Sequence, residues 1–203
     1  MNKFCKVHKL GNFPIYHFEF NNQHKMCMAF MRIVEFDCKY FKVNDFIGDY
    51  IDKHGKFDYM DLNVGFTIPS LEMYKFYKVF KRSLSKDEKW IFNKLKRLNI
   101  NNKYSIIVTL KNDLETIRHE LVHAHYDLYE NYRKDVNKVI RKFGLRNIKN
   151  ALIEQGYMKR DFIEEINSYV ITGLLPKMKK TIEIKKLKAN LTSVFKKHFN
   201  AMI

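Results

Sequence analysis

The tightest constraint on this chain is the pentapeptide His119-Glu120-Leu121-Val122-His123, set in a segment of helical character running from Asp113 to about Tyr129. A helix rises about 1.5 Å and turns roughly 100° per residue, so the two histidines stand about 6 Å apart along the axis and about 40° apart around it. Both imidazoles can then reach one metal ion. Glu120 lies roughly 100° round from His119, beside the ligand pair, where a carboxylate can take a proton from a water at the metal. With 8 His and 11 Glu in 203 residues, chance supplies only about 0.02 matches to such a pattern. The motif is therefore read as a site.

Its surroundings fix the fold class. Tyr104-Ser105-Ile106-Ile107-Val108-Thr109-Leu110 is a β-branched run of strand length, joined to the motif helix through a turn at Lys111-Asn112. Upstream, Ser70 is expected to cap a helix carrying Met73, Phe76, Tyr77 and Phe80, and Ser85 with Glu88 forms a capping box for a helix over 86–98. Phe76, Phe80 and Trp90 read as core. Downstream, helices are expected at 131–143, 146–155, 160–173 and 181–199, with Gly144, Gly156 and Gly173 as stops. In the first 69 residues, Tyr16–Phe20 followed by Asn21-Asn22 reads as strand and turn, and 26–36 fits strand or helix. The whole predicts an α+β fold, mostly helical, with a small N-terminal and central sheet. No Pro/Gly/Ser-rich linker interrupts the chain, so a single domain over 1–203 is expected: a β-containing part to 69, a helical core over 70–176 and a basic helix over 177–203.

The strand followed by a helix with HExxH resembles the zincins, zinc-dependent peptidases, and the chain is identified as a member of an uncharacterised zincin-like family. The HxxGxxH continuation of the metzincins is absent, since Ala124-His125-Tyr126-Asp127 follows the motif. A catalytic zinc needs a third protein ligand, and the segment 161–173 offers Glu164 and Glu165, roughly 100° apart on one helix. Either is open on position alone. Glu165-Ile166-Asn167-Ser168 resembles the Glu-x-x-small arrangement of glutamate zincins, which implies Glu165. Leu174-Leu175-Pro176 is faintly similar to the Leu-Leu-x-Pro stretch of the ImmA/IrrE metallopeptidases, without the intervening residue. The resemblance implies a Zn2+ cofactor on His119, His123 and Glu165, a protein or peptide substrate, Glu120 as the base, and Tyr169 as a donor to the oxyanion. The plainer alternative for Tyr169 is core packing.

The other histidines invite plainer readings. His125 is about 200° round the helix from His123, away from the pair, and His8, His17, His24, His54 and His198 show no pairing in sequence. Asp127 and Glu130 are helix-end charges or acceptors for a ligand imidazole. The net charge of +16 comes from 30 Lys and only 8 Arg, so planar, sequence-reading contacts to nucleic acid are not favoured. A nonspecific contact with nucleic acid or another polyanion through the lysines is the alternative function, with the zinc site then structural or vestigial. Lys-rich 177–203 carries eight Lys against Glu183 and an apolar stripe at Ile184, Leu187, Leu191 and Phe195, which is expected to pack on the domain. Cys5, Cys27 and Cys38 have neither disulfide nor zinc spacing. With no signal-type or spanning segment in view, an intracellular, cytoplasmic protein is expected.

Overall fold

Alternation of side chains across two N-terminal strands divides a sheet into unlike faces. In β1 (Cys5–Lys9) and β2 (Ile15–Phe20), Cys5, Val7, Phe18 and Phe20 point to one side, and Lys6, His8, His17 and Glu19 to the other. The computed structural model describes residues 4–37, 46–100, 102–178 and 180–200. Its four-stranded sheet has the order β1-β2-β4-β3, with β3 at Gly65–Pro69 and β4 at Ser105–Leu110. The β2–β4 pair is parallel and the other two are antiparallel, with Phe66 and Ile68 opposite Val108 and Ile106. The apolar face is covered by α1 (Gln23–Val34), α4 (Ser70–Phe80) and α5 (Lys86–Arg97), whose Phe30, Phe76 and Ile91 are fully buried with Phe18 and Phe20. Edge-on ring contacts, such as Phe18 on Phe30 at 5.6 Å between centroids, knit this core. Two short helices, α2 (Phe46–His54) and α3 (Tyr59–Leu62), precede β3.

The remaining helices are α6 (Leu114–Leu128), α7 (Glu130–Ile140), α8 (Arg146–Glu154), α9 (Phe162–Thr172) and α10 (Ile182–Phe199). The chain divides into two compact units, Met1–Ile117 and Arg118–Ile203, each with its own core. The division falls inside α6, where no linker composition would mark it. In the second unit α7, α9 and α10 pack together around Tyr132, Val136, Ile166, Val170 and Leu187. Burial of each large aliphatic side chain there contributes about 1.5–3 kcal/mol. The stripe Ile184, Leu187, Leu191 and Phe195 is buried as expected, leaving Lys185, Lys186 and Lys188 exposed. Asp135 of α7 holds α10 by accepting from Lys197 at 2.8 Å and from His198 at 2.9 Å, so His198 does have a partner.

The α+β class, the strand at 104–110 and the capping box of Ser85 and Glu88 are present. Gly156 ends α8 at a φ of +89°, in the left-handed region that glycine tolerates. Residues 26–36 fall largely in α1, not a strand. Ser70 is no cap: extended Pro69 occupies that position, and the Ser70 hydroxyl accepts instead from the Tyr104 amide at 3.2 Å, tying α4 to the entry of β4. His8 and His17, which show no pairing in sequence, face each other across β1 and β2. Cys5 and Cys27 are free and buried; Cys38 and the His54 side chain lie outside the described residues. Among the described residues no helix is long and apolar enough to cross a membrane.

Candidate metal centre

The helical unit brings His119, His123 and Glu165 together. Asp113 starts the motif helix by accepting from the Thr116 amide at 3.0 Å and the Thr116 hydroxyl at 2.7 Å, directly after Asn112 turns the chain at a φ of +63°. One turn apart on that helix, His119 and His123 present their Nε2 atoms to each other at 3.1 Å. Glu165, from the first turn of α9, places Oε2 at 3.9 Å from His119 Nε2 and 3.7 Å from His123 Nε2. One ligating atom from each residue thus falls within 4.8 Å of the other two.

The far sides of both rings fix their tautomers. His123 Nδ1 lies 2.8 Å from Glu164 Oε1, and a carboxylate accepts, so Nδ1 carries the proton. His119 Nδ1 lies 3.4 Å from the Thr172 hydroxyl, which spends its own proton on the Ser168 carbonyl at 2.7 Å and is left to accept. With both rings neutral, each would turn a lone pair on Nε2 toward the other, so a proton or a cation must lie between them. Two nitrogens at Zn–N bond lengths in a tetrahedral shell stand about 3.3 Å apart, close to the separation found. Glu165 Oε2 is buried and has no hydrogen-bond partner, a costly state for a carboxylate oxygen that a cation would relieve. The residues present fit a zinc-class ion.

Electrostatics agree with the geometry. Burial, then the neighbouring His123, holds His119 down at about 3. Burial also acts to lower His123, but the hydrogen bond to Glu164 and the charges of Glu165 and Glu120 outweigh it and push the ring up to about 9. Burial raises Glu165 to about 7. Three carboxylates around one imidazole hold a proton in place of a cation, and binding a divalent ion would displace it.

Glu120 is buried, and its charge acts on both His123 and Glu165. Tyr169 stands with its ring centroid 4.6 Å from that of His119, and its hydroxyl is 2.8 Å from that of Tyr157. It packs and carries a hydrogen bond at the edge of the cluster. Burial raises both phenols, keeping them protonated donors. Glu164 takes the acceptor place for which Asp127 and Glu130 were candidates; exposed Glu130 pairs with Lys134 at 2.8 Å. His125 stacks on Phe199 at 3.9 Å between centroids and is a core residue.

Two participants escaped the sequence reading. Thr172 lies seven residues beyond Glu165, two turns along the same face, a spacing that could have pointed to it. Tyr157 follows Gly156 in a connection, where no periodicity exists to mark it. In comparisons with known proteins, no family model, curated protein or solved structure matches this chain.

Proposed function

We propose that the helical unit is a zinc-dependent peptide hydrolase in which His119 and His123 through Nε2 and Glu165 through Oε2 hold the metal. The single observation that carries this reading is the buried Glu165 Oε2, which makes no hydrogen bond, beside two ring Nε2 atoms 3.1 Å apart, each ring held from behind. Three protein ligands leave one position open, the feature that separates catalytic from structural zinc sites. When bound, zinc supplies a Lewis acid that makes water a competent nucleophile near neutral pH and polarises a carbonyl.

The chain's own residues do the rest. Glu120, next to a ligand but outside the ligand set, takes the proton from the attacking water and returns it to the leaving amine. Glu164 and Thr172 keep both imidazoles in the ligating tautomer throughout. The Tyr169 hydroxyl, supported by Tyr157, is the donor toward the oxyanion. The resemblance of the motif to zincins supports an amide as the scissile bond and a protein or peptide as substrate.

The test combines elemental analysis with cleavage of a mixed peptide library. Wild-type protein is expected to hold a zinc ion that leaves on His123→Ala and on Glu165→Gln. Glu120→Gln should retain that ion and lose about 10²–10⁴-fold in cleavage rate. Folded wild-type protein that takes up no zinc sensitive to His123→Ala would refute the reading.

A further inference from the structure

We propose that the sheet unit carries a second divalent-metal site, of the zinc class, formed by His8, His17 and Glu19 at the β1–β2 edge. The residues are brought together by register alone. His8 lies directly opposite His17, and Glu19 follows two positions on, on the same face of the sheet. His8 Nε2 stands 3.1 Å from His17 Nδ1, with the ring planes at 87° and the centroids 4.8 Å apart. One ligating atom from each of the three residues lies within 4.8 Å of the others.

The tautomer of His17 is fixed from behind. Its Nε2 lies 2.8 Å from the Thr109 hydroxyl of β4, which donates to the Leu110 carbonyl at 3.1 Å and is left to accept. Nε2 of His17 therefore carries the proton, and Nδ1 turns a lone pair toward His8. Thr109 is thus the orienting partner that metal-ligating histidines commonly have. The nitrogen separation is again close to the roughly 3.3 Å of a tetrahedral zinc shell. His17 is buried and rigidly held, whereas His8 is exposed and gives a metal its way in.

Two imidazoles and one carboxylate favour zinc, nickel or copper over calcium or magnesium, which prefer oxygen shells. Among the described residues β1 is an edge strand, paired in the sheet with β2 alone. An ion joining His8 to His17 and Glu19 would staple that edge through side chains, in addition to its backbone hydrogen bonds.

None of these residues belongs to the helical cluster, so the test is run on the full chain carrying His119→Ala and His123→Ala. Zinc uptake is measured by calorimetry, and Co2+ is used as a visible-absorption reporter. That background is expected to bind one ion. Adding His8→Ala should weaken binding roughly 100-fold or more, because loss of a ligand exceeds the effect of losing its orienting partner. Adding Thr109→Val should weaken it about 10–100-fold. Circular dichroism checks that each variant is folded. Should the background not fold, the wild-type chain serves: its zinc count should drop by one on His8→Ala, at an exposed side chain. A folded background that binds no ion, or one whose affinity is indifferent to both His8→Ala and Glu19→Gln, overturns the site and leaves a plain histidine–histidine hydrogen bond. Either result is independent of whether the helical unit is an enzyme.

Discussion

The helical unit and the sheet unit each hold two histidines and a glutamate, and the resemblance extends to detail. In both, ring nitrogens stand 3.1 Å apart, and in both a threonine hydroxyl, already donating to a carbonyl, holds one ring from behind. The differences lie in what surrounds them. Glu165 is half-buried, but its Oε2 is buried without a hydrogen bond and it has Glu120 and Glu164 beside it, whereas Glu19, also half-buried, faces Lys6 across the strand pair. The helical cluster thus has two further carboxylates, the proposed base Glu120 and the ring-orienting Glu164, beside its proposed ligands, and among the described residues the hairpin cluster has its candidate ligands without such neighbours. A donor set can bind metal, but hydrolysis needs the acid–base group next to it.

The contrast assumes that both clusters use only nitrogen and oxygen donors. A thiolate would break it, and Cys5 shares β1 with His8. The strand's alternation sends Cys5 to the apolar face, opposite Phe20, while His8 points the other way. Burial pushes the Cys5 thiol from its ordinary 9.0 up to about 12, and Cys27 up to about 11. A raised thiol pKa means less thiolate at any pH below it. At pH 8 the thiolate fraction falls about 1000-fold for Cys5 and about 100-fold for Cys27 relative to an ordinary cysteine. Both are expected to escape iodoacetamide in the native protein, as read by peptide mass spectrometry, with reactivity climbing only as pH nears 11–12. Rapid alkylation of Cys5 at pH 8, suppressed by zinc, would show sulfur in the hairpin cluster.

The second contrast concerns the two glutamates of α9. Glu165→Gln removes a proposed ligand, whereas Glu164→Gln leaves an acceptor on His123 Nδ1 but removes its charge. Zinc affinity of the helical cluster is expected to fall about 10–100-fold for Glu164→Gln, in the range for an outer partner of a ligand imidazole. Competition with a chromogenic chelator measures it. Equal losses from both variants would mean that Glu164 also binds the ion and that the division of labour between them is wrong.

How much of this was legible follows from what kind of proximity each cluster uses. His119 and His123 are neighbours because a helix repeats every 3.6 residues, so their pairing is written in the sequence. His8 and His17 are neighbours because a strand register puts them opposite each other, and register depends on a turn and a hydrophobic pattern that short aromatic strands state weakly. The capping box of α5 was readable because its chemistry is local. Strand β3 was not, since Gly65–Pro69 is short and ends in a proline, which an edge position tolerates. Between Glu164 and Glu165 the sequence offered a roughly 100° difference in direction, and only the placement of α9 sets Glu164 against Nδ1 of His123 and Glu165 near its Nε2.

The capping box gives the smallest effect and shows how firmly the core behind the hairpin cluster is held. Ser85 Oγ accepts from the Glu88 amide at 3.1 Å, and Glu88 Oε2 accepts from the Ser85 amide at 2.7 Å, closing the first turn of α5. The same Oε2 lies 3.3 Å from Arg32, whose guanidinium spreads over Phe76 and Phe80 at 5.7 and 5.3 Å. One buried carboxylate oxygen therefore serves a helix terminus and a cation seated on the aromatic core. Ser85→Ala removes only the hydroxyl's share of this arrangement and should cost about 1 kcal/mol in urea unfolding. The Arg32–Glu88 pair stays in place, so apparent zinc affinity at the hairpin cluster should not change. A loss well above that size would mean that the cap also positions Glu88 for Arg32, making the start of α5 part of the scaffold on which β2 and its histidine rest.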